Sequence, residues 1–346
     1  MTPNTASESS PEIIFAGPLR MEYFLAPDGK EYSHLLGGPC LYAGAGAKIW
    51  TSVPPGLVAR VGENFPPSEL ASIPAKGLDI RGVRVIPHSQ PTAGFYCYDQ
   101  WDQCIDWDPV KQYARRNLPC PPELLEYTPP SILESQSASF PEIAIRSEDI
   151  PAAYREARAA YIAPCHYLSQ ITLSVALRQF GLGTICLAPS KGLYLPTGLP
   201  QLGQILHGID IFFAREEDLK KLFPSDAQNL RRMAEFIARL GPKIVLLQNE
   251  LQGVSVYDSD SRQMYFCPFY PVEIKNPIGI GDAFCGGFLS AWHHCYDPME
   301  SALYGCISVS LAVEGVGGLY ALDRNPGLAE ARLFSLRRSV SGSSTA

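Results

Sequence analysis

A chain of 346 residues, 46 % hydrophobic and 18 % charged, has enough apolar material for one large α/β domain or two smaller ones. A net charge of -7 argues against a nucleic-acid surface, which carries a basic balance or stripe, although an acidic protein can still hold a local anion site. The ten cysteines contain no C-x-x-C pair, and the six histidines do not cluster with them beyond Cys165-His166 and His293-His294-Cys295, so zinc-type spacing is absent and the thiols read as reduced and mostly buried.

Residues 1–11 are polar, lack the basic and apolar regions of a secretory signal, and read as a disordered tail. No apolar run is long enough to span a bilayer, so the expectation is a cytoplasmic protein without membrane or nucleic-acid partners.

Glu12 to Ala16 reads as a first buried strand. Tyr23 to Leu25 and Lys30 to Leu36 flank Pro27-Asp28-Gly29 and suggest a hairpin. Gly37 and Gly38 then precede a small-residue helix over 41–50, where paired glycines allow close approach to backbone amides or simply tight packing. The run Ala43 to Lys48 is no dinucleotide fingerprint, because it lies inside that helix and lacks the third glycine. Leu57 to Gly62 and Gly82 to Ile86 fit strands, and Thr92 to Asp99 alternates with aromatics as a strand does. The proline-rich residues 109–148 read as a long irregular surface excursion.

From Ile150 the pattern becomes α/β. Helices are expected over 152–161, 169–180, 216–222 and 227–240, with extended segments over 163–168, 184–188, 209–213 and 243–248. That alternation predicts a largely parallel sheet. Val254 to Tyr257 and Gln263 to Phe266 form a hairpin, and Val272 to Lys275 reads as a half-buried strand. The stretch Asn276 to Ala291 (N-P-I-G-I-G-D-A-F-C-G-G-F-L-S-A) follows it as a glycine turn leading into a helix near Asp282. Such a turn exposes the unpaired amides of a helix start to an anion. Asp282 there is either the helix cap or a general base for an attacking hydroxyl, and both readings stand at this point. A last helix covers 298–314, and residues 335–346 have the composition of a flexible tail.

Gly279-Ile280-Gly281-Asp282-Ala283-Phe284, with Gly286 and Gly287 behind it, resembles the C-terminal signature of ribokinase-like (PfkB) sugar kinases, Asp-Thr-x-Gly-Ala-Gly-Asp-x-Phe. Asn276 and Pro277 stand where that pattern has Asp and Thr. The resemblance extends over roughly residues 12–330, with the domain expected over 12–334. It implies a central, mostly parallel sheet flanked by helices, with a small β lid from about 18–36 and 84–108. It implies ATP and Mg²⁺ as cofactors and transfer of the γ-phosphoryl group to a hydroxyl of a sugar or nucleoside. Asp282 would then be the general base and Gly279, Ile280 and Gly281 the anion hole. On the acceptor side it implies Gly37, Gly38, Glu22, Tyr42 (where the family has Asn) and Tyr96. On the nucleotide side it implies Arg215, Gln248, Gly253 and Gly317, and for the metal Asp218, in an Arg-Glu-Glu-Asp run where relatives carry Asn-x-x-Glu. An exposed lid edge would suit a homodimer. A ligand-binding or regulatory protein on the same fold, without turnover, is the second reading.

Overall fold

The computed structural model describes residues 10–101, 103–130, 140–194, 198–224 and 228–343. Residues 1–9, 131–139 and 344–346, which include most of the expected tail at one end and part of the proline-rich stretch, lie outside the described residues.

Among the described residues thirteen strands follow in chain order: β1 (Ile13–Ala16), β2 (Arg20–Leu25), β3 (Glu31–Gly37), β4 (Gly56–Gly62), β5 (Asp79–Ile86), β6 (Ala93–Gln100), β7 (Gln103–Ile105), β8 (Ala159–Ile162), β9 (Thr184–Leu187), β10 (Ile211–Arg215), β11 (Ile244–Asn249), β12 (Gly253–Asp258) and β13 (Gln263–Pro268). Nine of them form one sheet in the order β13-β12-β11-β10-β9-β8-β1-β4-β5. All neighbours run parallel except β12 and β13, which add antiparallel at one edge.

The central strands are short, continuous apolar runs because both of their faces are covered. Along β1, Ile13 and Phe15 enter one core while Ile14 and Ala16 enter the other. The two cores are the helix layers on either side of the sheet. No helix among the described residues is long and apolar enough to cross a membrane.

A second sheet, ordered β3-β2-β6-β7, forms the lid. Its residues are narrower than the sequence suggested, because residues 84–86 belong to β5 and pair with β4 in the main sheet. One lid face carries Phe24 and Tyr98 against Tyr42 and Ile278. The other carries Tyr23, Leu25, Phe95 and Cys97 beneath Tyr113 and Leu124. Those last two residues come from the proline-rich stretch, which is therefore not merely a surface excursion. Pro109 opens a helix, Pro109–Arg115, at a position that needs no amide, and the Asp108 side chain caps it by accepting from the Lys111 N–H.

Four further expectations are corrected. Residues 152–156 make only a short 3-10 turn, and the strand comes earlier than expected, at Ala159–Ile162. The alanines that suggested a helix pair instead with β1 and β9, where burial on both faces overrides propensity. Residues 272–275 form no strand, because no neighbour offers a ladder there; the Lys275 and Asn276 amides both donate to the Val313 carbonyl at a helix end. The expected C-terminal tail is helical from Pro326 to Ser343, and Leu336 is buried by it. All ten cysteines are free thiols, seven of them buried.

Three helices of small residues, Pro39–Lys48, Ile280–Cys295 and Pro298–Ala312, pack on the same face of the sheet. A β-carbon added at Gly286 would overlap the Ala43 carbonyl, and one at Gly46 would overlap the Ala283 carbonyl. Gly203, in the helix Leu199–Leu206, has nothing nearer than a Leu240 methyl at 4.0 Å. The two glycines should therefore respond with opposite signs. Gly286→Ala is expected to lower stability by about 1–3 kcal/mol, since two backbones must separate. Gly203→Ala is expected to raise it by about 0.5–1 kcal/mol through the unfolded chain. Urea unfolding midpoints at constant slope check both.

Candidate active site

A cavity of about 670 Å³ lies between the lid and the carboxyl ends of the parallel strands, where open α/β sheets bind ligands. Its wall includes the turn Gly279 to Asp282, with Glu22, Tyr42 and Tyr96 on the lid side and Arg215, Asp218 and Gln248 on the sheet side.

The turn sits where it does because Gly279 takes a left-handed conformation (φ 75°) and caps the Ile280–Cys295 helix without a side chain. Its α-carbon faces the Tyr42 ring so closely that any β-carbon would overlap it. Asp282 is thus the third residue of the helix, not its cap, and the capping reading falls. Its carboxylate instead accepts a hydrogen bond from the Tyr161 hydroxyl at 2.8 Å. Burial pushes the Asp282 pKa up to about 7, against the pull of the Tyr161 hydrogen bond and of Arg20, with Glu22 adding to the rise. A carboxyl that titrates near neutrality is suited to proton transfer.

Glu22 is fully buried. Tyr42 donates to its Oε2 at 2.7 Å, and the Gly38 amide donates to its Oε1 at 2.9 Å. Burial raises Glu22 to about 7 as well, opposed by those two donors and by Arg20. Tyr42 in turn shares a hydrogen bond with the Asn276 side chain, whose Oδ1 also accepts from the Ile278 amide at 3.0 Å. The chain Gly38–Glu22–Tyr42–Asn276 therefore ties the lid to the glycine turn.

Not every expected residue reaches the cavity. Gly37 and Gly38 lie behind Glu22, where a β-carbon on Gly37 would overlap the Glu22 carboxyl. Gly253 opens β12 against Pro268, and Gly317 packs near the Leu36 carbonyl; neither is part of the cavity wall. Gln248 is on the wall and donates to the Glu250 carbonyl at 2.8 Å.

Asp218 is on the wall with both oxygens engaged, Oδ2 by Arg215 Nε at 2.9 Å and Oδ1 by Lys221 Nζ at 2.6 Å. Burial alone would raise its pKa, but Arg215 and Lys221 outweigh it and hold the carboxyl below the usual range. Arg215 also pairs with Glu217 at 2.7 Å. This donor set suits Mg²⁺ only through water, since a direct bond would have to displace a cation already in place. Sequence reasoning missed Tyr161, Arg20, Tyr98 and Trp101. Tyr161 lies in the buried apolar strand β8, and its hydroxyl, which must find a partner there, was the available signal.

Residues 184–324 match the pfkB family carbohydrate kinase model. A cytidine kinase from Thermococcus kodakarensis is 25 % identical over 281 residues, covering 81 % of this chain and 88 % of the relative. Among solved structures, an E. coli protein described as a ribokinase II, in complex with ATP and Mg²⁺, superposes with a TM-score of 0.68 at 19 % identity, over 94 % of this chain and 99 % of that one. A nucleoside kinase from Methanocaldococcus jannaschii superposes with a TM-score of 0.64 at 17 % identity, over 94 % and 99 % of the two chains.

The buried Glu22 gives a stability test. Its pKa is raised on folding, from 4.5 to about 7, so the native state binds the extra proton between those values. The stability it lends is full below about pH 4.5 and is lost as pH rises through about 7. Between pH 5 and pH 8 the native protein should lose on the order of 2 kcal/mol more than Glu22→Gln. Chemical denaturation of both proteins at the two pH values measures that difference; equal losses would remove the assigned burial cost.

Proposed function

We propose that this chain, whose residues 184–324 match the pfkB carbohydrate kinase model and which is similar to a cytidine kinase over 81 % of its length, is a phosphotransferase that moves the γ-phosphoryl group of ATP to a hydroxyl of a nucleoside or sugar, with Asp282 as general base. The observation that carries this reading is the partly buried Asp282 carboxyl, raised to a pKa of about 7, on a glycine turn at the strand ends and hydrogen-bonded to Tyr161. Asp282 takes the proton of the acceptor hydroxyl, the acceptor oxygen forms its bond to the γ-phosphorus, and the bond to the bridging oxygen of ADP breaks. The amides of Gly279, Ile280 and Gly281 stabilise the charge on the transferring group. Catalysis is then mainly positioning and electrostatics.

A nucleoside acceptor is favoured by the cytidine kinase relative and by the aromatic wall of Tyr96, Tyr98 and Trp101, which offers flat faces to a base. Glu22 and Tyr42 would then face the sugar hydroxyls. Arg215, Lys220 and Gln248 line the opposite side and would meet the ATP phosphates. When bound, Mg²⁺ neutralises charge on the phosphate oxygens, and Asp218 would hold it through water. The outer lid strands β3 and β7 are the edges a homodimer would use.

ADP release from ATP and Mg²⁺ over a panel of nucleosides and sugars tests the reading. One compound should support release, and Asp282→Asn should slow it by about 10²–10⁴-fold while ATP binding persists. Undiminished turnover in that variant would remove Asp282 from the reaction. The base must be ionised, so kcat/KM should rise with pH to a plateau, with its midpoint near the Asp282 value of about 7. Tyr161→Phe removes a hydrogen bond that lowers that value, so its midpoint should move to higher pH.

A further inference from the structure

The helix that starts at the glycine turn ends, eleven residues after Asp282, in His293 and His294. At a rise of about 1.5 Å per residue, that is roughly 16 Å from the base, at the opposite end of the sheet. Glu12 meets the two histidines there, immediately before β1. One ligand atom from each of the three residues lies within 4.8 Å of the others.

His293 is the informative member. Its side chain is 2 % exposed, and its Nδ1 is 3.0 Å from the Leu289 carbonyl. A carbonyl only accepts, so Nδ1 carries the ring proton and Nε2 presents a lone pair. That Nε2 is buried and has no hydrogen-bond partner. The nearest acidic oxygen, Glu12 Oε2, is 3.6 Å away, beyond hydrogen-bond reach. The imidazole of His294 lies alongside, with ring centroids 3.6 Å apart.

We propose that Glu12, His293 and His294 form a site for a divalent transition-metal ion of the zinc class. A backbone carbonyl that fixes the tautomer of a buried histidine is the usual outer support of a metal-ligating imidazole. Zinc bonds of about 2.0–2.2 Å in a tetrahedral arrangement put ligand atoms roughly 3.3–3.6 Å apart. The His293–Glu12 spacing of 3.6 Å is close to that, and the exposed His294 together with the partly exposed Glu12 can rotate to close the rest. The three groups leave a fourth position for water. A cation there also lies at the negative end of the helix. The ion would pin that helix end to the first strand, so its role is structural and separate from the phosphoryl chemistry.

The test is calorimetric titration of the full chain, stripped with EDTA and held in excess Mg²⁺, with Zn²⁺. One equivalent should bind with a micromolar or tighter Kd, and thermal unfolding should move to higher temperature. His294→Ala and Glu12→Gln, both at accessible side chains, should each weaken binding at least tenfold while unfolding stays cooperative. Cys295→Ser removes the exposed thiol beside His294 and should leave the affinity unchanged. Absence of stoichiometric binding, binding unaltered in His294→Ala and Glu12→Gln, or binding lost in Cys295→Ser would each overturn the assigned ligand set.

Discussion

Where Gly46 lies against the Ala283 carbonyl and Gly286 against that of Ala43, two helices approach backbone to backbone. Side chains of any size would hold them further apart, and the first turn of the second helix would then leave the end of the first. Their closeness lets Tyr42 lie on Gly279 and reach both Glu22 and Asn276. The third helix locks the pair, since Ser308 donates to the Gly46 carbonyl at 2.9 Å and accepts from Trp50 at 2.8 Å. The site's geometry is therefore set by helix packing behind it more than by the loops that line it.

Within that frame two carboxyls, Glu22 fully buried and Asp282 partly so, are each answered by a tyrosine. Asp282 has Tyr161 and Glu22 has Tyr42. A phenol can steady a carboxylate without neutralising it, so both acids retain a pKa near 7 where an arginine in direct contact would hold them ionised at much lower pH. Asp218 is the contrast within the same cavity: two cations hold it ionised, and it is poorly suited to exchanging a proton. Three acids at one site thus have two different characters, decided by their partners.

The sheet, the lid hairpin and the glycine turn were legible in the sequence, because apolar runs, turn residues and a dense local signature act over short distances. Residues 159–162 were misread because Ala-Ala-Tyr-Ile is ambiguous by propensity, and only its two neighbouring strands make it β. The proline-rich stretch was misread because its role depends on Tyr113 and Leu124 meeting the back of the lid, a contact that no local pattern announces. Tyr42 and Asn276 each departed from the family signature when read alone. In space they touch each other, so two separate differences in the sequence are one altered hydrogen-bond network. Tyr161 was invisible for a related reason: it lies 121 residues before the aspartate it serves.

The helix pair also dictates when the site can exist during synthesis. Pro39–Lys48 emerges early, whereas its partner begins about 240 residues later. At elongation rates of about 5–20 residues per second the first helix waits roughly 12–48 s for the surface that covers its glycine seam. The central strand β1 likewise lacks one neighbour until β8 is made. A nascent chain released before the Ile280–Cys295 helix would carry a lid and most of a sheet but not Asp282. Its longest-range contacts would all be missing, which marks late truncation as the point of greatest exposure to chaperones and proteases.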